Sequence, residues 1–182
     1  MTAPHRPGQT HLGSRIASID AQVDHWFAPL RRIRTVNSTM RAASFLGDWS
    51  LIWHLCGVTR ALVVHDLSSI VTLSLLLGLE SLIVNQGVKR LFKRQRPTIA
   101  GGAGLHVRQP RTSSFPSGHA SAATFAAIVL SSWTGGGWIV LWITLAVLVA
   151  TSRIHVQIHH ASDILGGVVA GAVLAAVAVT VM

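Results

Sequence analysis

Residues 120–152 contain no charged side chain, and that silence limits the architectures open to the chain. A hydrocarbon layer about 30 Å thick takes about 20 apolar residues of helix, so the stretch is too long for one crossing. Gly135, Gly136 and Gly137 break it, and Trp133 and Trp138 flank the break as aromatic anchors do at a membrane surface. The pattern predicts a helical hairpin of two short spans. Further spans are expected at 45–64, which is marginal because it carries Asp48, His54 and Arg60, and at 67–88, where Glu80 should face other helices or water. A last span covers 164–182, with Gly166, Gly167 and Gly171 suited to close helix contact. Half the chain is hydrophobic and only 12% is charged, too apolar for a soluble domain with one core. The expected fold is all-α: a polytopic membrane bundle of five transmembrane helices, or six if another span precedes Phe45.

Ahead of this domain, assigned to 44–182, residues 1–13 read as a disordered tail, without the apolar run of a secretory signal. Residues 14–43 carry Ile16, Ile19, Val23, Trp26 and Phe27 at helical spacing beside Asp20 and Asp24, then Arg31, Arg32 and Arg34. This amphipathic segment suits a helix lying in the interface. The lone Cys56 excludes an internal disulfide and reads as a packed helix residue.

Fifteen Lys and Arg against six Asp and Glu give a net charge of +9, which by itself fits nucleic acid, anionic lipid or phosphorylated substrates. Position decides. Lys89, Lys93 and Arg96 share one side of a helix if it continues that far, and Pro97 turns Arg96 toward a helix end. Arginine grips a phosphoryl group through two parallel hydrogen bonds, and lysine adds a compact charge. Pro116, Ser117 and Gly118 begin a helix whose N–H groups can approach an anion, with His119 beside them as a proton donor. In the third segment Ser152 and Arg153 precede His159, and Asp163 lies one helical turn beyond it. There a carboxylate can hold one imidazole nitrogen protonated and leave the other free to attack phosphorus, while Arg153 faces developing negative charge. With five spans, all three segments fall on one membrane face.

These segments, K-x6-RP at 89–97, PSGH at 116–119 and SR-x5-H-x3-D at 152–163, resemble the signature of the type 2 phosphatidic acid phosphatase (PAP2) family, which also includes vanadium haloperoxidases. The resemblance covers the chain from about Phe45 onward, and the joint occurrence in order is what makes it specific. It implies a PAP2/haloperoxidase-like core, with His159 as the nucleophile forming a phosphohistidine, Asp163 as its orienting partner and His119 as acid, then base. It implies that Lys89, Arg96, Ser117, Gly118 and Arg153 hold the phosphoryl oxygens. Lys93, Arg108 and Arg111 are candidate headgroup contacts. The expected enzyme is a metal-independent, cofactor-free hydrolase of lipid phosphates in a bacterial inner membrane. A polyprenyl phosphate or diphosphate is favoured; phosphatidic acid and phosphatidylglycerol phosphate are the alternatives.

His155 and His159 are spaced as zinc ligands can be, but the surrounding cations would repel a metal, so no metal site is expected. A basic membrane-surface or nucleic-acid-binding protein would use the cations alone; no nucleic acid is expected, and membrane lipids and a lipid phosphate are the expected partners. The expected side of the membrane is open. The cations that share the catalytic face place it in the cytoplasm by the positive-inside rule, whereas the resemblance implies the outer face.

Overall fold

The computed structural model describes residues 11–97 and 112–182, and over these the chain is helical, without strands. Helix α1 (His11–Leu30) and helix α2 (Arg34–Gly47) precede a short kink at 48–50, where Trp49 and Ser50 take left-handed φ of 55° and 58°. The bundle proper is α3 (Leu51–Val63), α4 (Leu67–Ser81), α5 (Gly118–Thr134), α6 (Trp138–His155) and α7 (Ala161–Val181). After Ser81 the α4 helix widens into a π turn at Leu82–Gly87 and tightens into a 3-10 turn at Val88–Leu91.

Among the described residues three helical runs are long and apolar enough to cross a membrane: Leu67–Leu91, Trp138–His155 and Ala161–Val181. The five expected spans correspond to α3–α7, but α3 with 13 residues and α5 with 17 reach only about 20 Å and 26 Å at the helical rise. Helix α5 is central. Ala120, Ala123, Ala126, Val129 and Leu130 are fully buried, and α4, α6 and α7 all pack on it. Small residues allow that density: a methyl group on Gly167 would stand 2.4 Å from the Ser117 carbonyl oxygen, and one on Gly171 would stand 2.3 Å from that of Ser121. These glycines therefore pack α7 on α5, as the sequence reading expected. The turn between α5 and α6 falls at the glycine triplet, with Gly135 and Gly136 at positive φ.

The amino-terminal expectations need adjusting. Residues 1–10 lie outside the described part, and α1 already begins at His11, inside the segment read as a tail. The amphipathic segment 14–43 is divided between two helices, which pack on α6 and α7. Helix α1 is more than an amphipathic surface, because Asp20, read simply as its polar side, is buried. Its carboxylate accepts hydrogen bonds from the backbone N–H of Ser162 at 2.9 Å, the Ser162 hydroxyl at 2.8 Å and Arg94 at 2.6 Å. An acid from α1 thus satisfies a first-turn N–H of α7, where the helix dipole favours negative charge.

Candidate active site

The three chain-distant segments converge at one end of the bundle. Lys89 at the end of α4, Gly118 and His119 at the start of α5, Arg153 near the end of α6, and Arg96 and His159 in the connections line one cavity of about 500 Å³. This convergence follows from the alternating run of α4 to α7, which returns each segment to the same end.

Arg96 is buried and held in place by backbone carbonyls: it donates to Ile158 at 3.2 Å, Thr112 at 3.3 Å and Ser113 at 3.2 Å. Its Nη1 also lies 3.1 Å from Nε2 of His159. A guanidinium only donates, so Nε2 is the accepting, unprotonated nitrogen and the ring proton resides on Nδ1. Nδ1 lies 3.5 Å from Oδ2 of Asp163, an orienting contact slightly long for a full hydrogen bond. Burial drives the His159 imidazole down to about 3, the Arg96 and Arg153 charges acting in the same direction and Asp163 against it. The ring is therefore neutral at physiological pH, its lone pair among the cations.

Asp163 is a hub. It accepts from Arg94 at 2.7 Å, from the His160 backbone N–H at 2.8 Å and from the Ser114 hydroxyl. The sequence reading placed Asp163 one helical turn after His159. In the structure α7 begins only at Ala161, and the contact comes from a cap: Asp163, at the third position of the helix, reaches back to the N–H of its N-cap residue.

Two buried donors are conspicuous because nothing meets them: Nε of Arg96 and Nε of Arg153 have no hydrogen-bond partner among the described residues. Arg153 is otherwise held by the Ser44 hydroxyl and lies 3.8 Å from Asp48. Lys89 donates to Asn85 at 2.7 Å. Guanidinium N–H groups left unpaired beside a polar cavity are what an anion would satisfy. Gly118 leaves room for this arrangement, since a methyl group there would stand 2.5 Å from Asn85 Oδ1 and 3.2 Å from Lys89 Nζ.

Other expectations fare differently. The helix that was to carry Lys89, Lys93 and Arg96 on one side ends at Leu91, and Phe92 is already extended. Lys93 is exposed and does not line the cavity. Ser117 is buried behind the cavity, where its hydroxyl caps α5 by accepting from the Ala120 N–H at 3.4 Å. His155 turns away from His159, toward Asn37 at 3.3 Å and the edge of Phe27. Arg108 and Arg111 lie outside the described residues.

Sequence reasoning missed two partners. Asp48 Oδ1 lies 2.9 Å from Nε2 of His119, so the second imidazole is oriented by a carboxylate as the first is. The available signal was an acid inside an otherwise apolar stretch, which by default marks a functional position. Arg94, which the sequence did not single out, bridges Asp163 and Asp20.

A helical membrane bundle closed at one end by a cup of cations around a neutral imidazole is a frame for holding phosphoryl groups. The chain belongs to the PAP2 superfamily, whose family model matches residues 69–182. It is 39% identical over 90 residues to decaprenylphosphoryl-5-phosphoribose phosphatase of Mycobacterium tuberculosis, covering 50% of this chain and 49% of that protein. It is 34% identical over 95 residues to the putative undecaprenyl-diphosphatase YbjG of Escherichia coli, covering 50% and 46% respectively. The chain thus spans about half the length of the curated relatives it matches. Among solved structures it is similar to a transmembrane PAP2-type phosphatidylglycerolphosphate phosphatase from Bacillus subtilis, with a TM-score of 0.69 and 22% identity over 96% of this chain and 87% of that one. Aquifex aeolicus LpxE gives a TM-score of 0.68 at 22% identity over 86% and 93%. These two likenesses establish the fold. Asp48 lies outside the segment that the family model matches.

Proposed function

We propose that the protein is a lipid-phosphate phosphatase of the bacterial inner membrane that removes phosphate from the polar end of a polyprenyl-linked lipid through a phosphohistidine. One observation carries this reading: the unprotonated Nε2 of His159 sits in a cavity with Lys89, Arg96 and Arg153, and two of the guanidinium donors there are unsatisfied. The polyprenyl tail is supported by the names of the two kinds of curated relative, both of which concern polyprenyl carriers.

Phosphoryl transfer asks mainly for positioning and charge neutralisation, and the cup supplies both. As a phosphoryl group enters, Arg96 exchanges its contact with Nε2 for a phosphoryl oxygen, and Arg153 and Lys89 take others. Nε2 attacks phosphorus as the bond to the leaving oxygen breaks, while Asp163 stabilises the Nδ1–H of the ring that becomes cationic. His119 in its imidazolium form keeps one N–H on Asp48 and gives its other ring proton to the leaving oxygen, then takes a proton from a water that attacks phosphorus and breaks its bond to Nε2. Inorganic phosphate leaves and Nε2 regains its lone pair. The cations neutralise the phosphoryl oxygens directly, so the site residues themselves supply what this chemistry needs.

The test is phosphate release in detergent from a panel of polyprenyl phosphate, polyprenyl diphosphate, phosphatidic acid and phosphatidylglycerol phosphate, with chelator present. Wild type should turn over polyprenyl substrates fastest, and His159→Ala should lose at least about 10³-fold in kcat while remaining folded. Near-normal turnover by His159→Ala would remove the covalent route, and a preference for the glycerolipids would remove the polyprenyl assignment.

A further inference from the structure

At the end of the bundle remote from His159 lies a second cavity of about 490 Å³, between the last turns of α3 and α5 and the first turns of α6. Trp133 follows His119 along α5 by 14 positions, which is about 21 Å of helix rise and most of a bilayer leaflet-to-leaflet path. The walls are apolar and aromatic: Leu55, Leu141 and Leu145 with Trp133, Trp138 and Trp142. Trp138 and Trp142 stack with centroids 6.0 Å apart, and the Trp142 indole N–H is fixed on Thr134 at 2.9 Å.

Arg60 is the charged residue in this lining. Its guanidinium carbon lies 5.1 Å from the centre of the Trp133 ring, yet Nε and Nη1 are buried without a hydrogen-bond partner among the described residues. The neighbouring hydroxyls do not need a ligand: Thr59 donates to the Leu55 carbonyl and Thr134 to that of Leu130. Asp66 is held below the ordinary carboxylate range first by the hydroxyl and N–H of Ser68 on its Oδ1, with the Arg60 charge adding in the same direction from a distance. Buried donors without a partner, on a cation that lines an apolar groove, leave a polar cost that one anion bearing hydrocarbon chains would remove.

We propose that this groove binds an anionic phospholipid of the leaflet opposite the catalytic cavity, its phosphodiester on the Arg60 fork and its acyl chain along Leu55, Leu141 and Leu145. Indoles are favoured where headgroup meets chain, and the exposed Leu55 and Val63 continue the apolar surface beside this aromatic cluster. Arginine suits this role better than lysine because its planar fork holds two phosphate oxygens at once.

Native mass spectrometry of the full chain, with vanadate saturating the catalytic cavity, would measure retention of phosphatidylglycerol against phosphatidylcholine of identical acyl chains. Wild type should retain phosphatidylglycerol at least fivefold better, and Arg60→Gln should bind the two lipids equally. Should Arg60→Gln not fold, Arg60→Lys, which keeps the charge and loses the fork, should lower the preference at least threefold. The absence of a preference in wild type, or its survival in the variant that folds, would overturn the assignment.

Discussion

The two ends of the bundle handle the same problem, charge in a poorly polarisable setting, in opposite ways. At the catalytic end three carboxylates are tied into pairs, Asp163 with Arg94 and His159, Asp20 with Arg94, and Asp48 with His119 and Arg153, while Glu80 in the cavity lining accepts from the Ser121 hydroxyl and keeps its other oxygen without a partner among the described residues. Backbone N–H groups at the start of α7 and the Ser114 hydroxyl take up further lone pairs of Asp163 and Asp20. At the far end Arg60 stands on one indole ring, with Asp66 acting on it through charge alone and no ion pair among the described residues. A buried charge persists when its neighbours compensate it, and the fraction left uncompensated indicates what the site awaits. Near His159 that fraction includes donors of two arginines that line a polar cavity, suited to a phosphoryl group; near Trp133 it belongs to one arginine in the lining of an apolar groove, suited to a lipid diester.

The comparison breaks most visibly at Asp48. Asp48→Asn keeps the shape of the side chain and removes the charge that orients His119, so kcat should fall by about 10²–10³-fold, the usual worth of a positioned acid–base group, with a much smaller change in KM. Phosphate release under saturating substrate checks this, and a loss below about tenfold would mean that His119 is held by something else. Arg94→Gln probes the other carboxylate less severely. Asp163 would still accept from Ser114 and the His160 N–H, so a loss of about tenfold in kcat is expected, with Asp20 and the α1 packing loosened as well. An effect as large as that of His159→Ala would show that Arg94 touches the reacting group.

What the sequence made legible followed the strength of local rules. The glycine break between α5 and α6, the start of α5 at Gly118 and the close contacts made by Gly167 and Gly171 all express short-range geometry that spacing encodes directly. Lys89, Arg96, Gly118, His119, Arg153 and His159 were found by their segments, and the structure places all six around one cavity. What escaped depends on pairings across the chain. Asp48 meets His119 from 71 positions away and Arg94 meets Asp20 from 74, and neither pairing has a spacing rule to reveal it. The helix assumed to continue through Lys93 failed for a local reason: its last turns widen and then tighten before Phe92, so the phase carried forward from Lys89 is lost.

The smallest effect concerns protons, and it separates the two ends cleanly. An imidazole in the unfolded chain takes up a proton near pH 6.5. His159 in the fold, pushed down by burial with the Arg96 and Arg153 charges adding, stays neutral to about 3. Between those values the unfolded state binds the extra proton, so the stability owed to this neutral ring is complete above about 6.5 and is lost progressively as the pH falls toward 3. Thermal unfolding in detergent between pH 7 and 4 should therefore decline more steeply for wild type than for His159→Asn, by about 2–4 °C for each kcal/mol of this linkage. Arg60→Gln should displace the whole curve without altering its slope, because a guanidinium does not titrate in that range. Parallel curves for wild type and His159→Asn would mean that the ring is already charged in the fold, and a charged ring has no lone pair to offer phosphorus.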